Sequence, residues 1–98
     1  MSQFIYAQME IHDRKRYNLY MNAAKPIFIR EGVKVHAADD APRPNSPDVK
    51  VDKVVLLEFR DKAHMKAFFA LPDYIKAGKD RDASTHMKTM MFERFKGL

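Results

Sequence analysis

The sequence predicts a single α+β domain of order βαββαβ, and three observations predict it. The first half of the chain sets an alternating apolar segment, a helical stripe and a β-branched run one after another. The second half again runs strand, helix, strand, with different residues and a proline-bearing loop in front of it. The strand segments are also apolar on both faces, and two helices crossing on one side of a sheet cover only one of them. At 98 residues the chain has room for one domain, residues 1–98, and a domain of that length removes roughly two thirds of its unfolded surface from water. Its 46% hydrophobic and 32% charged residues are the balance of a chain that folds.

Residues 3–11 alternate. Ile5, Ala7, Met9 and Ile11 share one face, with Phe4, Tyr6, Gln8 and Glu10 on the other, which is the period of a strand. Asp13 stands where a helix N-cap belongs. Tyr17, Tyr20, Met21, Ala24 and Phe28 then follow at three- and four-residue spacings as one stripe, with Arg14, Lys15, Asn18, Asn22 and Lys25 outside it. Pro26 lacks an N–H and crowds the preceding turn, so a kink or interruption is expected there, and Gly32 supplies a left-handed stop after a helix end near Glu31. Val33 to Ala38 is a short second strand. It leads into DDAPRPNSPDVK, whose prolines, Asn and Ser predict a loop over 39–50. Between Val51 and Arg60 the consecutive Val54, Val55, Leu56 and Leu57 read as a strand buried on both faces. Asp61 is the next N-cap, and Met65, Phe68 and Phe69 give a helical face that Pro72 interrupts. A short helix is expected from Asp73 to about Lys79, ended with help from Gly78. His86 to Phe95, with Met87, Met90, Met91 and Phe92, is the last strand.

Several function classes are excluded by composition. Without cysteine there is no disulfide framework, thiolate metal site or cysteine nucleophile. His12, His36, His64 and His86 have no metal-ligand spacing, so no metal is expected; His64, beside Lys66, is expected to be solvated. There is no glycine-rich phosphate loop and no serine in a nucleophile elbow, which argues against nucleotide binding and hydrolysis, and no cofactor is expected. The N-terminus MSQFIYAQME has no leader pattern and no stretch approaches the ~18 apolar residues of a membrane span, so a cytoplasmic location away from membranes is expected.

The net charge of +5 is spread over the two helical regions: residues 12–34 carry six Lys/Arg against two acids, and 60–98 carry nine against five. Solvated helix faces produce that excess without a ligand. RNA-recognition modules share the strand order, but they stack bases on aromatics of the third strand, and VDKVVLLEFR lacks the glycine-aromatic signature; nucleic acid is therefore not the expected partner.

The apolar second face points to self-association. Phe4 and Tyr6, two of Val54 to Leu57, and either Met90 with Phe92 or Met87 with Met91 would be exposed on a lone protomer. A homodimer closing sheet on sheet is the simplest cover.

The stretch LEFRDKAHMKAFFALPDYIKAGKDRD resembles the centre of the small bacterial proteins grouped as domain-of-unknown-function family 1330 (DUF1330). The resemblance rests on Glu58 and Phe59, Phe68, Pro72 with Tyr74, and Arg81, and at the first helix on Asp13, Tyr17, Tyr20 and Gly32. It implies a ferredoxin-like fold with a four-stranded antiparallel sheet that dimerises into an α+β barrel. Phe69 and Leu71 stand where that family tends to have tyrosine and serine, and the proline-bearing loop replaces an acidic-glycine turn.

Five side chains are candidates for ligand binding: Tyr6, His36, Glu58, Tyr74 and Arg81. Arg81 with Tyr74 offers a forked cation and a hydroxyl to a carboxylate or phosphate. Glu58 shares a face with Val54 and Leu56, away from the helices; partial desolvation there would raise its pKa and make it a proton shuttle or the partner of a cation. Tyr6 offers a phenol into the same space, and His36 an acid or base near neutral pH. The leading reading is a dimeric protein holding a small, partly apolar organic molecule between sheet and helices. Catalytic residues are not assigned. The alternatives are a cofactor-independent monooxygenase or isomerase, by fold analogy, and an RNA-binding or non-catalytic interaction module.

Overall fold

Seven elements follow one another in the computed structural model, which describes residues 1–97. They are β1 (Gln3–Ile11), α1 (Arg14–Arg30), β2 (Lys34–Asp39), β3 (Lys53–Phe59), α2 (Lys62–Phe69), α3 (Pro72–Ser84) and β4 (Thr85–Glu93). The order is the expected βαββαβ, with the second crossover split into α2 and α3 where Leu71 precedes Pro72. All pairings are antiparallel in one four-stranded sheet, β2-β3-β1-β4, so β1 and β3 are central.

Pairing of Ile5 with Leu57 on one side and Met91 on the other fixes which residues look inward. Ile5, Ala7 and Met9 are buried beneath α1, whose Tyr17, Tyr20, Ala24, Ile27 and Phe28 turn toward the sheet. Phe59 and Phe68 are among the most completely buried side chains and join α2 to β3 through rings 5.4 Å apart. Met90 and Phe92 therefore take the outer face, opposite Tyr6 and Phe4, while Met87 and Met91 take the inner one.

The expected caps are in place. The Asp13 carboxylate accepts from the Arg16 N–H and that of Asp61 from the His64 N–H, each satisfying an otherwise orphaned donor of a first turn. Gly32 adopts φ 69°, and beyond it the Val33 N–H returns to the Phe28 carbonyl.

Four local expectations are corrected. Pro26 does not interrupt α1, which runs through it; Asn22, whose carbonyl loses its partner, and Pro26 itself lie on the exposed side, where the carbonyl is open to solvent. Gly78 does not end the third helix at Lys79. It has no positive φ and lies buried within α3, which continues to Ser84 and closes when the Ser84 and Thr85 hydroxyls donate to the Asp80 and Arg81 carbonyls. His64 is not solvated: its Nδ1 accepts from the Arg60 N–H, which leaves Nε2 to donate to the Glu31 carbonyl at 2.7 Å, so the ring ties the start of α2 to the end of α1. The run Val54 to Leu56 is half-buried in the lone protomer rather than covered on both faces.

Candidate functional site

The candidate ligand-binding residues separate onto the two sides of the sheet. Tyr74 and Arg81 belong to the helix side. Both are on α3, seven positions apart, and α3 packs beside α1 so that Tyr74 meets Tyr20. The Arg81 Nη1 donates to the Tyr74 hydroxyl at 2.7 Å, and the Tyr74 and Tyr20 hydroxyls share a hydrogen bond of 2.7 Å. The guanidinium lies over both rings, 5.4 Å from the Tyr20 centroid and 5.6 Å from that of Tyr74. Gly78 makes room for it, since a Cβ there would stand 3.2 Å from Nη2.

These three side chains border a cavity of about 650 Å³ between the inner face of the sheet and the helices. Its walls are mostly apolar, among them Ala7, Phe28, Leu57, Phe69 and Met87. The charged residues on the wall are Lys25 and Arg81, and no Asp or Glu is among them. Burial, and then the neighbouring Tyr20, push the Tyr74 hydroxyl well above the ordinary phenol range, so it carries its proton at neutral pH. An apolar space with a few convergent polar groups is the usual architecture of a small-molecule site.

Tyr6, His36 and Glu58 belong to the outer face. Glu58 is buried although it points away from the helices, because Phe4 flanks it on β1 and donors surround its carboxylate. His36 lies within a register shift of edge strand β2, and its Nε2 meets Glu58 Oε1 at 2.7 Å. Arg94 Nη2 donates to Glu58 Oε2 at 2.8 Å while the guanidinium stacks over the Phe4 ring. The expected rise in the Glu58 pKa is overturned. The Ser2 hydroxyl foremost, then Arg94 and His36, hold the carboxyl down at about 2, because hydrogen bonds to the charged form outweigh desolvation. Glu58 is thus held ionised between Arg94 and His36. Tyr6 does not join it; its hydroxyl donates to Gln8 Oε1 at 3.4 Å.

A pH dependence follows with a definite sign. Glu58 ionises more readily when folded, so its contribution is complete above its ordinary value of 4.5 and is lost as pH falls toward about 2. Glu58→Gln is expected to be less stable than the parent at pH 7, with the gap closing between pH 4.5 and 2. Urea unfolding at several pH values checks this; a gap that stays constant into acid would be the contrary result.

Two participants escaped the sequence reading. Tyr20 reads from the sequence as a stripe and family-matching residue and not as a site residue, although a phenol in such a stripe must find a hydrogen-bond partner. Arg94 carried no local signal, since its partner lies 36 positions away. Among the described residues no group of three or more His, Cys, Asp or Glu side chains is placed to hold a metal, and no helix is long and apolar enough to cross a membrane.

A four-stranded antiparallel sheet with helices on one side and an apolar cleft beneath them defines a ferredoxin-like α+β domain. The chain belongs to the family described as Domain of unknown function (DUF1330), which matches residues 2–95. Among solved structures it is similar to a protein of unknown function from Rhodopseudomonas palustris (18% identity, TM-score 0.83), over 98% of this chain and 84% of that one. It is also similar to a dimeric ferredoxin-like protein of unknown function from Jannaschia sp. CCS1 (16% identity, TM-score 0.75), over 96% of this chain and all of that one. A further similarity is to SnoaB, a cofactor-independent oxygenase from Streptomyces nogalater (12% identity, TM-score 0.67), over 99% of this chain and 96% of that one. No curated protein matches the chain in sequence.

Proposed function

We propose that this protein is a homodimer in which each protomer holds a small, partly apolar organic molecule in the cavity between its sheet and its helices. The observation that carries the reading is the cavity itself: about 650 Å³, mostly apolar, with Tyr20, Tyr74 and Arg81 converging on it from α1 and α3. Apolar walls supply affinity through the area they remove from water, and the few polar groups fix orientation. The outer face, with Phe4, Tyr6, Leu56 and Phe92 exposed or half-buried, is the surface a second copy covers, and similar solved structures are described as dimeric. As part of the same proposal, the assembly works in the cytoplasm.

A second reading adds chemistry without a cofactor, an oxidation or an isomerisation. It is supported by the fold shared with SnoaB and by paired phenols at the cavity, which can donate to a developing charge on bound substrate.

Melting the protein against a panel of aromatic and acidic metabolites tests the binding reading. A ligand present at about a hundred times its dissociation constant stabilises by about 2.7 kcal/mol, an upward shift of some 10 °C or more for a domain of this size. A flat response across the whole panel would count against any ligand in the cavity.

A further inference from the structure

The hydrogens of the Arg81, Tyr74 and Tyr20 chain do not balance within the protein. The Tyr74 oxygen accepts from Arg81, and the two phenols share one hydrogen bond between them. Two phenolic protons and one phenol-to-phenol bond leave one proton without an acceptor, since among the described residues neither hydroxyl has another partner. Which proton is left over follows from electrostatics. With a guanidinium N–H already pointing at the Tyr74 oxygen, the Tyr74 proton is turned away from the cation and toward Tyr20. Tyr20 accepts it, and its own proton is the free one. Tyr20 and Tyr74 are 5% and 4% exposed, so bulk water is a poor acceptor for that proton, while the cavity both residues line is adjacent. A leftover donor so nearly buried is costly unless something in the cavity accepts from it.

The charge around the cavity says what accepts. Lys25 and Arg81 are its ionised wall residues, and no Asp or Glu lies on the wall. Asp82 binds Arg81 from the exposed side, through Nε and Nη2 at 3.1 Å, and Nη1 on the other side is left to the Tyr74 hydroxyl. A chain of hydrogen bonds that starts at a cation is polarised along its length, so the last donor is strengthened toward an anionic acceptor.

We propose that the cavity takes an apolar organic molecule bearing an oxyanion, which accepts the free proton of Tyr20 at the end of the Arg81–Tyr74–Tyr20 chain. This rests on the reading of the cavity as a ligand site and names the class of ligand. The oxyanion comes either from a carboxylate or from an ionised phenol or enol, and the two share the same recognition chemistry. Gly78 is a positioning residue, because its missing side chain lets the guanidinium settle against α3 at the height of Tyr74.

Titration calorimetry of the full chain with naphthoate and with naphthamide, its neutral counterpart, tests the inference. Naphthoate is expected to bind about ten- to a hundredfold more tightly, the worth of one hydrogen bond to a charged group. That preference is expected to fall to within about threefold in Arg81→Gln and in Tyr20→Phe, because naphthoate loses more affinity than naphthamide when the donor chain is cut. Gly78→Ala deletes no polar group but sets a Cβ 3.2 Å from Nη2, so the guanidinium must shift, and the variant is expected to narrow the preference in a folded protein; it serves should Arg81→Gln fail to fold. Naphthol distinguishes the two sources of the anion. The absorption of ionised naphthol in the complex, at a pH where the free compound is neutral, identifies a bound phenolate, while its absence beside tight naphthoate binding identifies a carboxylate. Equal affinity for naphthoate and naphthamide overturns the oxyanion inference and leaves the cavity reading standing. No binding of any of the three overturns both.

Discussion

Phe68→Ala is expected to destabilise the domain by about 3–5 kcal/mol, the usual result of emptying an aromatic site in a core. Phe68 is 1% exposed and lies within 6 Å of four other rings: Phe28 at 5.6 Å, Phe59 at 5.4 Å, Phe69 at 5.3 Å and Tyr74 at 4.4 Å between centroids. Those contacts join α1, β3, α2 and α3 at one point, so the cavity left behind cannot be closed by moving one element. Against a total of about 5–15 kcal/mol for a domain, the loss is a large fraction. A fall in melting temperature of about 12 °C or more is expected. The effect reaches the proposed ligand site as well, because Phe68 is the ring against which Tyr74 rests, and Tyr74 carries the hydroxyl that Arg81 engages. Phe69→Ala, at a more exposed neighbouring position, is expected to cost clearly less. Urea unfolding at fixed protomer concentration separates the two variants. A change below about 1 kcal/mol for Phe68→Ala would show that the cluster relaxes around the hole.

What could be read from the chain divides by the distance over which the information lies. The faces of β1 and the stripe of α1 were legible because period two and period 3.6 are local, and so were the caps Asp13 and Asp61, whose partners lie three residues on. Gly78 misled for a tertiary reason. A glycine near a charged run looks like a stop, but here it is small so that Arg81, one turn later, can fold back against the helix. His64 was misjudged because its acceptor is 33 positions away, at the end of another helix. The pairing of Tyr20 with Tyr74 spans 54 positions and has no local signature. Glu58 shows how half an inference reverses a sign: its face and its burial were legible, but the Ser2, His36 and Arg94 donors were not, and donors decide the direction of a carboxylate's shift. Tyr6, His36 and Glu58 lie across the sheet from Tyr74 and Arg81, a separation that alternation along β3 already implies for Glu58.

Leu56→Arg is expected to yield a folded protomer that no longer pairs with itself. Leu56 lies on central strand β3 between Tyr6 of β1 and Ala37 of β2, half-buried, on the face that also carries Phe4, Val54 and Phe92. Covering ~300 Å² of such surface gains about 7 kcal/mol in gross terms, and the freedom lost on association costs about 4–15 kcal/mol. The proposed dimer therefore stands on a narrow margin that contacts beyond the apolar patch must widen. A two-fold axis places the same substitution in both subunits, so two like-charged guanidinium groups would enter one largely apolar interface and lose their hydration there. In the lone protomer the same arginine faces water and costs little, since its aliphatic stem still covers the sheet. Sedimentation should then show a dimer for the parent at micromolar concentration and a monomer for the variant, with matching circular dichroism. A parent that sediments as a monomer from high dilution to storage concentration would remove the dimer, and with it the reason for so apolar an outer face. A variant that still dimerises would move the interface to another surface.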